Sequence, residues 1–263
     1  MGSKSKIGII DSGLGGFTVV KELRRILPNE SIAYFGDNLN CPYGNRSKED
    51  ILHLTYNMLD FLNDRRVKLV GIACNTVSTL IKEYGNRYDF PIVDIITPTV
   101  DFVSENGIDN IGILGTAFTI KTGAYQRMLL ERNSNIKITT EPSPNLAALI
   151  DSGDFDSAAV KDAVRLHLSN LTKGNEVSNL ILACTHYPIV EDIFSFLAPD
   201  LKIIDPAVHL AQKIKKTLKE NDMLNDDKDA DASIEIFTTG KADNYKNLIS
   251  KFNMKDTISI NII

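Results

Sequence analysis

"KLVGIACNTVS", residues 68–78, begins as an aliphatic run and breaks at Cys74 into Asn75, Thr76 and Ser78. A short apolar run that stops at small polar residues reads as a buried strand ending in a polar turn, with the thiol at its tip. "NLILACTHYP", 179–188, repeats the pattern around Cys184, followed by Thr185 and His186. Strands buried on both faces belong to parallel sheets, and α/β proteins collect functional groups beyond the strands' carboxyl ends.

Outward from these two stretches, strand-like and helix-like segments alternate along the chain. Strands are expected at "KIGIID" 6–11, "SIAYFGD" 31–37, "PIVDII" 91–96, "NIGILGT" 110–116, "IKITTE" 136–141, "KIID" 202–205, "IEIFTT" 234–239 and "ISINI" 258–262. "FTVVKELRRIL" 17–27 carries Phe17, Val20, Leu23 and Leu27 at helical spacing and stops at Pro28. "SKEDILHLTYNMLDFLNDR" 47–65 opens with Ser47 and Asp50, a capping-box-like start. The fold class is therefore α/β with mainly parallel sheets.

The chain also echoes itself. "KIGIIDSG" at 6–13 returns as "NIGILGTA" at 110–117, and "LVGIACNTVS" at 69–78 returns as "LILACTHYP" at 180–188. The offsets are similar, 104 from Ile7 to Ile111 and 110 from Cys74 to Cys184, and predict two pseudo-symmetric α/β domains. "TPTVD" 97–101 reads as the boundary. The last 55 or so residues would overfill the second half, so they are expected to return to the first. The expected domains are 1–97 plus 208–263, and 98–207. The polar stretch "KENDMLNDDKDADAS" 219–233 reads as solvated surface.

With 263 residues, 43% hydrophobic and 24% charged, the chain can bury one large core or two smaller ones. Its net charge of −5 and the lack of a basic block argue against nucleic acid as a partner. No apolar run approaches the ~20 residues of a spanning helix, and "MGSKSKIGIID" has no apolar signal core. The expectation is a cytoplasmic protein with no membrane partner. Three cysteines without an export signal or a CxxC pair argue against a disulfide framework or a thioredoxin-type site.

Two domains facing each other about a pseudo-dyad would aim Cys74 and Cys184 into one cleft from opposite sides. Opposed thiols suit removal of a proton from one face of a carbon and its return on the other, which is racemisation; a thiol with a pKa of about 8.5 can serve as acid or base. Asp11 at the first strand tip and His186 beside Cys184 are the natural proton partners, with Asp151 a candidate to orient a histidine. Asn75, Thr76 and Thr185 can hold a carboxylate. "DSGLGG" 11–16 allows close backbone approach ahead of a helix, but matches neither G-x-G-x-x-G nor the P-loop. The rival reading is zinc on Cys74, Cys184, His186 and Asp11, although structural zinc sites favour short-range ligand pairs, which Cys74 lacks. Cys41 in "NCPYG", and His53, His167 and His209 on helix-like stretches, read as structural.

"IGIIDSGLGGFTVVKELRRILP", "YFGDNLNCPYGNRS", "IACNTVS", "GTAFTIKTGAY" and "LACTHYPI", in that order, resemble the glutamate racemase family, the cofactor-independent branch of the aspartate/glutamate racemases. The resemblance spans about residues 6–263. It implies two α/β domains with the active site in the cleft between them, the first completed by the C-terminal segment. Residue by residue it implies Cys74 and Cys184 as catalytic thiols, assisted by Asp11 and His186, and Asp151 in place of a family glutamate. It implies substrate contacts from Ser12, from Pro42, Tyr43 and Gly44 of the PYG turn, from Asn75, Thr76 and Thr185, and from Thr116 and Thr119. It implies no cofactor and no metal, an acidic amino acid as small-molecule partner, and a homodimer. Asn40, "SPNLAALID" 143–151 and "ITPTV" 96–100 depart from the family pattern near the pocket. With the shorter Asp151, these departures keep aspartate beside glutamate as a possible substrate. A two-domain acidic amino-acid binder is a further reading.

Overall fold

In the computed structural model, which describes residues 2–227 and 229–263, all ten strands lie in two parallel sheets. The strands are β1 Ile7–Asp11, β2 Ile32–Gly36, β3 Leu69–Ile72, β4 Ile92–Asp94, β5 Asn110–Thr116, β6 Lys137–Ser143, β7 Asn179–Ala183, β8 Lys202–Ile204, β9 Ser233–Thr238 and β10 Thr257–Ile262. One sheet has the order β10-β9-β2-β1-β3-β4 and the other β6-β5-β7-β8. Every pairing is parallel. Lacking a solvated face, β1, β2 and β3 are buried at every residue and are apolar but for Asp11 at the tip of β1.

The run β2-β1-β3-β4 has the same order as β6-β5-β7-β8. The echoed sequence pairs occupy matching places, β1 with β5 and β3 with β7. In each run the connections diverge from the first strand, and the crevice beyond the carboxyl ends at that divergence is where α/β sheets bind ligands. Cys74 follows β3 and Cys184 follows β7, so both thiols sit at such a crevice. Residues 233–262 return to pair with β2, extending the first sheet.

Helices Phe17–Ile26 and Lys48–Asp64 form where the periodicity places them. Ser47 caps the second, its side chain accepting from the Asp50 backbone N–H at 3.1 Å. The strand expected at 91–96 stops at Asp94, whose Oδ1 accepts from the backbone N–H groups of Ile96 and Thr97. A helix, Ile96–Glu105, then runs straight through the stretch read as a boundary. Pro98 is tolerated there because the first turn of a helix needs no donor from it. Helix Pro206–Glu220 packs on Phe17–Ile26 and Ile96–Glu105 and carries the chain back towards the first sheet. The polar stretch after it is not all solvated: Asn225 is tied to Glu30 and Asn29, and Met223 and Leu224 pack on the core; Lys228 lies outside the described residues.

Among the described residues, no helix is long and apolar enough to cross a membrane.

Candidate active site

The two crevices share one cavity. It is lined by Ser12, Cys41, Pro42, Tyr43, Gly44, Cys74, Asn75, Thr76, Thr116, Ala147, Cys184, Thr185 and His186. Its volume is about 270 Å³, and Cys74, Asn75, Thr76, Cys184, Thr185 and His186 on its walls are all buried, so the walls are nearly closed on each other. Of the residues expected at the site, Asp11, Asp151 and Thr119 stand behind this wall. The others form it.

On the first sheet's side, Cys74 is buried and its Sγ donates to Ser12 Oγ at 3.5 Å. Burial, then the neighbouring Asp11 charge, pushes the thiol up to about 12. Asp11, at the tip of β1, is fully buried. Its Oδ2 accepts from the backbone N–H groups of Gly13 and Gly16, both at 3.1 Å, and Thr185 Oγ1 donates to its Oδ1 at 3.1 Å. Burial raises this carboxyl to about 6 despite the opposing charge of His186 and those donors. A titratable carboxyl near neutrality beside a thiol is equipped to exchange a proton.

On the second sheet's side, His186 Nδ1 lies 3.8 Å from Cys184 Sγ, and its Nε2 donates to Asp151 Oδ1 at 2.8 Å. The imidazole is buried, which disfavours its charge, yet the Asp151 hydrogen bond and the two neighbouring thiols raise its pKa well above the ordinary value. Asp151 is lowered: burial opposes its charge, but His186, the Leu14 N–H and Asn38 outweigh it. A carboxylate–imidazole pair fixes the tautomer and leaves Nδ1 to handle a proton on Cys184.

Glycines let the two sides meet. A Cβ on Gly15 would lie 2.7 Å from the His186 backbone nitrogen, and one on Gly13 would lie 2.8 Å from Asp151 Oδ1. "DSGLGG" therefore serves close approach of the first sheet's loop to the second sheet's proton partners.

Amide and hydroxyl groups on the wall can donate to an anion. Asn75 Oδ1 accepts from Tyr125 Oη at 2.8 Å, while its Nδ2 is buried without a hydrogen-bond partner. Thr76, Thr116 and Thr119 form a triangle of hydroxyls with edges of 2.9, 3.2 and 3.0 Å. Thr116 also caps the helix that follows β5. The PYG turn packs beside them: a Cβ on Gly44 would lie 2.4 Å from Thr116 Cβ. Tyr43 is held from behind, donating to Asp37 Oδ2 at 2.6 Å.

Several expectations change. Cys41, read as structural, lines the cavity beside His186, and burial raises its thiol to about 11. The zinc set Cys74, Cys184, His186 and Asp11 is not brought into mutual reach. Among the described residues, the donors that do come within 4.8 Å of one another are Cys41, Asp151 and His186. His53 is exposed, His167 bonds Glu141 at 2.8 Å, and His209 stacks on Phe102 with ring centroids 4.1 Å apart. Sequence reasoning missed Ala147 on the wall, Asn38 behind Asp151, and Tyr187, a buried hydroxyl next to Cys184. Asn38 stood in a quoted motif, but nothing in its spacing marks it as reaching residue 151.

Two parallel sheets thus bring residues from both carboxyl-end crevices, a thiol from each among them, onto one small cavity. The chain belongs to the Asp/Glu/Hydantoin racemase family, whose model matches residues 7–214. A glutamate racemase of Bacillus cereus is 35% identical over 94% of this chain and 92% of its own length. The crystal structure of a Francisella tularensis glutamate racemase in complex with D-glutamate matches at a TM-score of 0.88 and 31% identity, covering 99% of this chain and 98% of that one. An aspartate racemase of Picrophilus torridus shares the fold at a TM-score of 0.61, with 22% identity, 83% of this chain and 99% of that one.

Proposed function

We propose that this protein interconverts L- and D-glutamate without a cofactor, one thiol removing the Cα proton while the other delivers one to the opposite face. The observation that carries this reading is the pair of thiols at the tips of equivalent strands, β3 and β7, on one cavity wall. Curated relatives named glutamate racemases support the substrate.

In this reading Cys74 and Cys184 are the acid–base pair. Asp11 and Ser12 serve Cys74; His186, held by Asp151, serves Cys184. Asn75, Thr76, Thr185, Thr116 and Thr119 receive the α-carboxylate and amino groups, and the backbone of Pro42, Tyr43 and Gly44 receives the side-chain carboxylate. The α-ammonium of the substrate supplies the positive charge that a thiol at about 12 needs beside it to give up its proton. Residues 1–97 with 208–263 act as one lobe and 98–207 as the other, and they part to admit substrate into a cavity this nearly closed. The protein works in the cytoplasm as a homodimer, and its D-glutamate feeds peptidoglycan.

Of the departures that keep aspartate beside glutamate, Asp151 stands behind His186 and contacts it directly, so its length does not set cavity depth, whereas Ala147 of the 143–151 stretch lines the cavity.

The test is chiral chromatography of L- and D-glutamate, then L- and D-aspartate, with chelator and no added cofactor. Racemisation of glutamate with solvent deuterium at Cα is the expected result. Binding without racemisation would favour an amino-acid binder, and chelator-sensitive activity would favour a metal mechanism.

A further inference from the structure

The mechanism above uses Asp151 to hold His186 but leaves open what holds Asp151. Its carboxylate is a poor anchor by itself, for it ends the short helix Leu146–Asp151 and reaches across to the other sheet's loop. Besides His186 it meets two donors, both from that loop side. The Leu14 backbone N–H donates to Oδ1 at 3.2 Å. Asn38 Nδ2 donates to both oxygens, at 3.1 and 3.2 Å.

The Asn38 amide is itself fixed. Its Oδ1 accepts from Tyr245 Oη at 2.7 Å and from Thr238 Oγ1 at 2.9 Å. A carboxylate can only accept, so the NH₂ end must face Asp151 and the carbonyl end must face the two hydroxyls. Thr238 ends β9 and Tyr245 lies on helix Ala242–Lys251, both in the returning C-terminal segment; Thr238 and Tyr245 are fully buried. The preceding side chain on that helix, Asn244, donates to the Asp151 backbone carbonyl at 3.1 Å. A continuous hydrogen-bonded line thus runs from the C-terminal segment through Asn38, Asp151 and His186 to Cys184. Cys74 has no counterpart to it.

We propose that Asn38, locked by Tyr245 and Thr238, is a positioning residue that sets the orientation and charge of the Asp151–His186 pair and so the proton transfer at Cys184. This rests on the two-thiol reading above. Asn38 touches no substrate: it is absent from the cavity wall. Its effect is electrostatic and geometric. Two N–H donors on a buried carboxylate favour its ionised form. A displacement of ~1 Å in such a relay can cost ~100-fold in rate.

The experiment compares wild type, Asn38→Ala, Asn38→Asp, Tyr245→Phe and Cys184→Ala with both enantiomers of glutamate, protonated or deuterated at Cα. Asn38→Ala is expected to lower kcat by about tenfold or more with little change in KM. Below the Asp11 step near pH 6, the second and steeper part of the acid limb of its kcat/KM profile should move to higher pH, because Asp151 loses donors and takes a proton more readily. Asn38→Asp, nearly isosteric, should do worse by setting a second carboxylate against the first. Tyr245→Phe keeps the ring and the core, and should shift the limb the same way by less. The Cα isotope effect should rise for one enantiomer only, the one whose proton Cys184 removes. Wild-type pH profiles in Asn38→Ala and Tyr245→Phe overturn the proposal. So does a rate loss that follows melting temperature without moving the limb, or an isotope effect that rises equally for both enantiomers. Full activity in Cys184→Ala would instead bring down the two-thiol reading, and this proposal with it.

Discussion

Cys74 leaves β3 and meets a hydroxyl, Ser12, with a buried carboxyl nearby; Cys184 leaves β7 and meets an imidazole backed by a carboxylate. The strands are equivalent, the chemistry beside them is not. Each carboxylate also crosses the gap: Asp11 at the tip of β1 accepts from Thr185, and Asp151, on the helix after β6, accepts from Leu14 and Asn38. A pseudo-symmetric fold can therefore supply two similar thiols and still tune them separately, since only strand order and thiol position are repeated. The proposed two-thiol reaction performs the same act on both faces of one carbon, with different proton partners on its two sides.

The strongest test removes either thiol. Cys74→Ala and Cys184→Ala should each lower kcat/KM by about 10³-fold or more, the scale of a lost general acid or base. A mutant of either kind that keeps half its activity would leave the comparison without a subject.

Asp11→Asn should cost about 10²-fold and separate activity from stability. The native profile should fall as pH drops through about 6, where Asp11 takes a proton. Its carboxyl is raised on folding, from 3.8 to about 6, so the folded state prefers the protonated form. The associated stability is present below the unfolded value and is lost as pH rises through the folded one. Near pH 7 this amounts to at most about 3 kcal/mol, less what the amide forfeits against Gly13 and Gly16. Asp11→Asn should thus melt higher than wild type at pH 7.5, with the advantage vanishing near pH 4. Calorimetry at both values decides it, and equal melting temperatures throughout would contradict the buried-charge account.

Asp151→Glu is a finer probe. The added methylene would press the carboxylate against Gly13, Asn38 and His186, which already touch it, and overpacking of this kind costs about 1–3 kcal/mol. Activity should fall about tenfold, with the glutamate-to-aspartate preference unchanged because Asp151 does not line the cavity. A shift in preference would restore it as a gauge of pocket depth. Smallest of all, Cys41→Ala should keep most of the rate, since Cys41 stands beside His186 but at neither strand tip; a loss matching that of Cys184→Ala would make it a third proton carrier.

How much of this could be read from residues alone depends on reach. Strands, the two parallel runs and the thiol tips are local patterns, repeated once, and they were legible. The helix through Pro98 was not, because a proline in a first turn looks like a break until the Asp94 cap is seen. The Asp151–Asn38 contact joins residues 113 positions apart, and Cys41 reaches His186 only through folding. No periodicity carries such information; Asp151 could be named as a partner for a histidine, but nothing pointed to Asn38 or Tyr245.

β2 has one further consequence, in the order of synthesis. In the finished sheet it is an interior strand, paired to β1 on one side and β9 on the other. Ile32 waits for Ile234, its register partner. At ~5–20 residues per second the ribosome needs on the order of 10–40 s to make the intervening chain. During that interval IAYFG, apolar and without a charge, is an open edge on a nascent protein. The last strands to be made are the ones that close it.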